Sequence, residues 1–174
     1  ACQYIADRLY RRGNVVILSG PSVSSIADRI AGCRAKLDAI PGIQVLSADR
    51  NGGGSSEGAF IKMTDILTQF PRIDAVFAIN DPTALGVEEA ALQAKRNEFF
   101  IVGIDGAPRV KARMREVDSL IVATVAQMPD VLAQKAVESG YALMQKRPLP
   151  EPVVLIPPEL LTHDSLPDSS DWSR

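Results

Sequence analysis

The chain of 174 residues has little of the material from which catalytic and metal sites are usually built. It contains one histidine and two cysteines. The histidine, His163, lies near the carboxyl end of the chain, which excludes a catalytic triad built on histidine. No cluster of histidine, cysteine, aspartate and glutamate has the spacing of a metal site. The sequence therefore predicts a protein that is not an enzyme and that has neither a metal nor a cofactor.

The chain also lacks an excess of either charge and a long apolar run. Its net charge is −2 and its isoelectric point is about 5.5, so no basic surface for nucleic acid is expected. Short basic clusters such as Arg113 with Arg115 are interpreted as solvated helix faces. No run reaches the ~18 apolar residues that cross a bilayer. No signal peptide is recognisable, and residues 1–10 resemble a helix already under way, so we expect a longer protein.

The two cysteines are too few to predict a disulfide framework. Cys2 and Cys33 both fall within helical patterns. We expect buried or inert thiols, and the redox compartment stays open.

Short apolar runs alternate with amphipathic segments along most of the chain. This alternation predicts an α/β fold, three α-β-α layers with a mostly parallel sheet. Residues 164–174 are rich in serine, aspartate and proline, which predicts a disordered tail. Strands are predicted at 15–18, 43–47, 75–79, 99–104 and 120–125, with a last extended piece at 153–156. Helices are predicted at about 2–12, 24–37, 55–70, 82–95, 107–117 and 129–145.

Four polar residues lie where the predicted topology meets one edge of the sheet. Asn80 and Asp105 end two buried strands, Gln127 follows another, and Arg29 lies on the helix after the first strand. Open α/β sheets bind ligands at this carboxyl edge. A guanidinium, a carboxylate and two amides together supply the donors and acceptors that vicinal hydroxyls need. The set predicts a site for a small polyhydroxyl ligand.

Each of these residues also has a simpler interpretation. Arg29 is compatible with an ordinary surface position, Asn80 with a helix cap, and Asp105 with a turn before Gly106. Asp81 is expected to start a helix and to point away from the site, so no carboxylate pair is expected. The glycine-rich stretch 51–56 is interpreted as a flexible turn, because it lacks the Gly-Lys-Ser/Thr ending of a phosphate loop.

Three motifs give the chain a family resemblance. They are Asp28-Arg-Ile-Ala-Gly-Cys33, Ala78-Ile-Asn-Asp-Pro-Thr-Ala-Leu-Gly86, and Val102-Gly-Ile-Asp-Gly106 with Ala123-Thr-Val-Ala-Gln-Met-Pro129 behind it. With these motifs the chain resembles the periplasmic sugar-binding proteins of the ribose-binding type, which serve ABC importers. The resemblance spans about residues 1–163. It departs at Cys33, where an aromatic residue is usual.

The resemblance implies a periplasmic-binding-protein type 1 fold in which two lobes close over a monosaccharide. Residues 1–127 would form the second lobe, with Arg29, Asn80, Asp105 and Gln127 as its sugar ligands. Residues 128–156 would return to a first lobe, most of which is missing here, and 157–174 would be a terminal segment. The missing part brings the aromatic rings that sandwich the sugar in this family.

The resemblance further implies an ABC permease as partner and a periplasmic or lipid-anchored extracellular location. Helix 129–146 would have lost its host, so we expect it either to pack on a second copy of the chain or to be held loosely. The alternative function is the effector-binding domain of a sugar-responsive LacI-type transcription regulator. A stand-alone interaction module is a third interpretation.

Overall fold

The fold, taken from a computed structural model, is described for residues 1–166 and Trp172. Within these residues one sheet carries strands in the order β2-β1-β3-β4-β5-β6. The strands are β1 Gly13–Leu18, β2 Ile43–Ser47, β3 Ala75–Ala78, β4 Phe100–Asp105, β5 Ile121–Ala126 and β6 Glu159–Thr162. The helices are α1 Cys2–Arg8, α2 Ser24–Leu37, α3 Ser56–Gln69, α4 Asp81–Gln93, α5 Pro108–Met114 and α6 Pro129–Met144.

The first five strands of the sheet are parallel and β6 is antiparallel to β5. Alternate residues of β1 enter two separate cores, because side chains of a strand point to opposite faces. Val16 and Leu18 pack with residues of α3, α4 and α5. Val15 and Ile17 pack with residues of α1 and α2. The predicted α/β fold with three α-β-α layers and a mostly parallel sheet is therefore confirmed.

The final strand lies later in the chain than predicted. The apolar run 153–156 is not a strand; Val153 and Leu155 are 64% and 85% exposed. Prolines bracket this run at positions 152, 157 and 158, and proline cannot donate to a strand ladder. The segment Glu159–Thr162, which contains no proline, pairs with β5 instead.

The predicted disordered tail is wrong at its beginning. Residues His163–Ser165 form a turn of 3-10 helix. The Thr162 backbone N–H donates to Ser165 Oγ at 2.9 Å, which closes this turn. The rest of the predicted tail, apart from Leu166 and Trp172, lies outside the described residues.

The two cysteines form a disulfide, which corrects the expectation of free thiols. Cys2 of α1 and Cys33 of α2 are bonded, with 31 residues of separation and a Cα–Cα distance of 5.2 Å. Both are buried in the core between these two helices. The bond ties the start of the chain to α2, the helix that carries Arg29.

A buried carboxylate anchors α5 against α4 and corrects the solvated interpretation of Arg113. Glu88 on α4 is 3% exposed and accepts from Arg113 Nε at 2.6 Å. The same carboxylate accepts from the Leu120 N–H at 2.7 Å and the Ser119 hydroxyl at 2.9 Å. Arg113 also pairs with Asp118 at 2.8 Å. A buried acid satisfied by several donors holds α4, α5 and the start of β5 together.

Helix α6 contrasts with the other helices because none of its residues is buried. Its apolar side chains are open to solvent, with Val137 72% and Met144 81% exposed. Tyr141 and Leu143 are more than half exposed as well. The helix therefore presents an unpartnered apolar surface. Within the described residues, no helix is both long and apolar enough to cross a membrane.

Candidate functional site

The structure brings the four predicted site residues to the carboxyl edge of the sheet. Asp105 is the last residue of β4, and Gln127 follows β5, the neighbour of β4. Asn80 precedes α4 at the end of β3, which flanks β4 on its other side. Arg29 reaches this edge from α2. The parallel order β1-β3-β4-β5 thus produces the predicted convergence.

Asp105 is the centre of the cluster. Its Oδ1 atom lies 3.7 Å from Arg29 Nη2 and accepts a short hydrogen bond from Gln127 Nε2. Arg29 Nη1 donates to the Ile79 carbonyl at 2.7 Å, which fixes the guanidinium against the end of β3. The Arg29 and Asp105 side chains are each 19% exposed. This ion pair is fixed in place and remains partly exposed to solvent, so it can form hydrogen bonds with a ligand.

Asn80 caps α4, one of the two interpretations that the sequence left open. Its Oδ1 atom accepts from the Thr83 N–H at 2.9 Å, and its Nδ2 atom donates to the Gly54 carbonyl at 2.9 Å. The Asn80 side chain is thereby locked between α4 and the glycine-rich turn. A rigid amide next to Arg29 and Asp105 keeps acceptor and donor capacity for a ligand.

The backbone at Asp105 adopts a conformation that residues with a side chain rarely occupy. Its φ is 136°, and Gly106 follows with φ 74°. Such a conformation costs on the order of 1–3 kcal/mol and clusters at functional sites. A Cβ on Gly106 would lie 2.6 Å from Ala126 Cβ, so only glycine fits beside β5. The backbone strain therefore lies at Asp105, the residue whose side chain contacts both Arg29 and Gln127.

Asp81 does not point away from the site, and that expectation was wrong. Its side chain is fully buried. Its Oδ2 atom accepts from the Ala107 N–H at 2.6 Å, and its Oδ1 atom accepts from the Thr124 hydroxyl at 2.6 Å. A Cβ on Gly103 would collide with this carboxylate. The sequence carried one signal of this packing, the glycine in β4 two residues before Asp105.

The carboxyl groups of Asp81 and Asp105 both have raised pKa values. Burial, helped by the charge of Asp105, raises the pKa of Asp81 to about 7 against the lowering effect of the hydrogen bonds from Thr124 and Ala107. Burial also raises the pKa of Asp105 above its ordinary value. The Asp81 N–H, Arg29 and Gln127 oppose that rise. Desolvation thus outweighs the local donors at both acids.

We expect the Asp81 carboxyl to make the protein less stable as pH rises. Between the ordinary aspartate pKa of 3.8 and about 7, the folded chain holds a proton that the unfolded chain has released. The free energy of unfolding therefore falls with increasing pH across that window, by a total on the order of 4 kcal/mol. Urea unfolding at about pH 5 and about pH 7.5 measures about 2.5 kcal/mol of this fall. Asp81→Asn should remove the share of Asp81 and leave the share of Asp105, whose pKa is also raised.

Asp65→Asn, on the exposed side of α3, is the matched control and should keep the wild-type pH dependence. Equal pH dependence in wild type and Asp81→Asn would contradict the assignment. Other acids, such as Asp118 and Glu138, have pKa values lowered by their cationic partners and also contribute to the pH dependence of stability. Their contribution is the same in wild type and variants, so it cancels in the comparison.

The donor set suits a neutral polyhydroxyl ligand better than a metal. Within residues 1–166 and Trp172, no group of three or more histidine, cysteine, aspartate or glutamate side chains is placed to hold a metal ion. Arg29 supplies a rigid donor fork, Asp105 supplies acceptor lone pairs, and the two amides supply both. Vicinal hydroxyl groups can satisfy such a set, because each hydroxyl donates and accepts.

Comparison with known proteins places this geometry in a family. The sequence-family model of the periplasmic binding protein domain matches residues 1–148. The ribose import binding protein RbsB of Escherichia coli K12 is 31% identical over 167 residues, covering 80% of this chain and 56% of that protein. The xylitol-binding protein of Mycolicibacterium smegmatis is 42% identical over 106 residues, covering 60% and 30%. The chain thus spans about half the length of the ribose import binding proteins that it matches.

Solved structures show the same fold. A periplasmic solute-binding protein of an ABC transporter from Actinobacillus succinogenes, with bound D-allose, has a TM-score of 0.86 and 25% identity. The alignment covers 94% of this chain and 57% of that one. The arabinose-binding component from Shewanella superposes with a TM-score of 0.87 at 22% identity, which supports the fold alone; it covers 95% and 55%. The chain belongs to the periplasmic binding protein family, and its resemblance to the ribose-binding type is confirmed.

Proposed function

We propose that this chain is the second lobe of a solute-binding protein that delivers a monosaccharide to an ABC importer. The observation that carries the proposal is the partly buried cluster of Arg29, Asp105 and Gln127 at the carboxyl edge of the sheet. The cluster is polar, charged and held in place from three elements. Its role is to bind and orient a ligand, with no step of catalysis.

The chemistry of the cluster favours sugar hydroxyls. Asp105 can accept from one hydroxyl while Arg29 donates to a neighbouring oxygen, and Asn80 and Gln127 border the same space. Hydrogen bonds to charged groups contribute about 1.5–3 kcal/mol each, against about 0.5–1.5 kcal/mol for neutral ones. Arg29 and Asp105 should therefore dominate the affinity of this lobe.

The names of the relatives narrow the ligand class. Similar proteins are named for ribose, xylitol and D-apiose, and a structural neighbour holds D-allose. These ligands are small polyhydroxyl molecules, four of them in total and none larger than a hexose. We infer that this chain takes a pentose, a hexose or a related sugar alcohol.

The division of the chain follows the same proposal. Residues 1–127 form the second lobe and 128–156 return toward a first lobe. Within the terminal segment 157–174, β6 adds an edge strand to the sheet of the second lobe beside β5. The exposed apolar surface of α6 supports this division, since such a surface needs a partner. Met128, with φ 54°, and Pro129 mark the point where the chain leaves the lobe. Closure of the two lobes about this region would trap the sugar.

The location follows from the family and is supported by the disulfide. Disulfides persist in oxidising compartments such as the periplasm and are rare in the cytosol. The buried bond between Cys2 and Cys33 fits a periplasmic or extracellular solute-binding protein, whose partner is an ABC permease. The same bond argues against the LacI-type regulator, which works in the cytosol and which the named relatives do not favour. When no first lobe covers α6, we expect this helix either to pack on a second copy of the chain or to be held loosely.

The experiment is a ligand-observed NMR panel on this chain with D-ribose, xylitol and D-allose. We expect at least one of them to bind saturably with a Kd of about 1 mM, because half of a site supplies about half of the binding free energy. Arg29→Ala should lose that binding. Arg34→Ala, an exposed position five residues later on α2, should keep it. Equal signals from glycine or inorganic phosphate, or no saturable binding of any sugar, would overturn the proposal.

A further inference from the structure

Two loops that end neighbouring strands are tied together beneath the candidate site. The Asp81 carboxylate accepts from the Ala107 N–H, 26 residues away in sequence, and from the Thr124 hydroxyl, 43 residues away. The Thr124 oxygen in turn accepts from the Gly106 N–H at 3.2 Å. The Asp81 N–H donates back to Asp105 Oδ2 at 3.4 Å. These bonds engage every residue of the turn 105–107.

This arrangement explains how the strained Asp105 backbone is maintained. A residue with a positive φ of this size persists only where its surroundings over-determine it. The N–H groups of Gly106 and Ala107 are both held from below, one through Thr124 and one by Asp81 directly. Gly103 leaves the space that the Asp81 carboxylate fills. The turn therefore has little freedom to relax toward an ordinary conformation.

We propose that Asp81 is a positioning residue that, together with Thr124, holds residues 105–107 so that the Asp105 carboxylate faces Arg29 and Gln127. Asp81 is fully buried and acts through Asp105, without touching the ligand. Its link to sugar affinity rests on the proposed function. Its link to the Asp105 backbone does not, so the two can fail separately.

Two variant pairs separate positioning from mere packing. Asp81→Ala removes both acceptors, whereas Asp81→Asn keeps a carbonyl oxygen for the Ala107 N–H and an N–H for the Thr124 oxygen. Thr124→Val keeps the shape of the side chain and removes its hydroxyl, whereas Thr124→Ser restores the hydroxyl. Thr64→Val, which removes an exposed hydroxyl on α3, is the control for a change elsewhere.

The first readout is the affinity for D-ribose, xylitol or D-allose, whichever binds the wild type best. We expect Asp81→Ala and Thr124→Val to weaken binding about tenfold or more, the effect of disturbing one hydrogen bond to a charged group. Asp81→Asn and Thr124→Ser should stay within about threefold of wild type. Wild-type affinity in a folded Asp81→Ala or Thr124→Val protein would overturn the proposal.

The second readout needs no ligand. The three-bond HN–Hα coupling of Asp105 reports its φ, and the amide shifts of Gly106 and Ala107 report their hydrogen bonds. We expect these values to change in Asp81→Ala and Thr124→Val and to be retained in the two conservative variants and in Thr64→Val. If no sugar binds the wild type, the proposed function fails and this readout still decides the positioning role. An unchanged Asp105 coupling in folded Thr124→Val would contradict it.

Discussion

Asp105→Asn should weaken sugar binding about 100-fold while the fold is retained. The asparagine keeps the size of the side chain and loses its charge, so Arg29, only 19% exposed, loses its counter-charge. The new amide NH₂ group of the asparagine must also face a hydrogen-bond donor. At one oxygen position of Asp105 the facing donors are the Gln127 amide and Arg29, and at the other it is the Asp81 N–H. Loss of a charged partner together with a mispaired donor costs about 3 kcal/mol, which is about 100-fold in affinity.

The measurement is protein-observed NMR titration with sugar up to about 10 mM, where a Kd raised from about 1 mM to about 100 mM lowers the saturation from about 90% to about 10%. Asp65→Asn makes the same chemical change on the exposed side of α3 and should bind like the wild type. Binding by Asp105→Asn within a few-fold of wild type would show that Asp105 only shapes its turn. In that case the proposed sugar site would lose its main polar contact.

Replacing both cysteines should lower the stability of the protein by about 3–4 kcal/mol. A loop of the size closed between Cys2 and Cys33 restricts the unfolded chain by about that much in the chain-entropy model. For a domain of this length the loss corresponds to a fall in Tm of about 10 °C. We expect α1 to be the element that loses most stability, because the disulfide holds it against α2.

Thermal unfolding of wild type and Cys2→Ser/Cys33→Ser, each with and without a reducing agent, measures this effect. Reduction should lower the Tm of the wild type toward that of the double variant and leave the variant unchanged. Thiol titration of the unreduced, denatured wild type should find no free thiol. Two titratable thiols, or equal Tm values for the four samples, would contradict the assignment of the bond.

The sequence was sufficient to predict the layers of the fold and the convergence of Arg29, Asp105 and Gln127. Buried parallel strands are short apolar runs, and the residue after each run must lie at one edge of the sheet. Local pattern alone is enough to place these residues, and the structure agrees through β5. It also allowed Asn80 to be both a helix cap and a site residue; the structure shows the cap, and the ligand role stays a prediction.

The rest depends on contacts between distant segments. Asp81 at a helix start resembles a residue that stabilises the helix dipole, and its bonds to Ala107 and Thr124 have no local signature. Two cysteines in two helical patterns do not indicate that the helices touch. The run 153–156 is more apolar than 159–162, yet the neighbouring prolines and the free edge of β5 decided which segment became a strand.

The central claim is that a sugar half-site lies at the carboxyl edge of the sheet. A residue-resolved NMR titration of the isotope-labelled chain with D-ribose, xylitol and D-allose tests it most directly. We expect the shift changes to concentrate at Arg29, Asn80, Asp105 and Gln127. Changes centred on the opposite edge, where Arg12, Asn14 and Asp74 border a polar cleft, or no changes with any of the three, would contradict it.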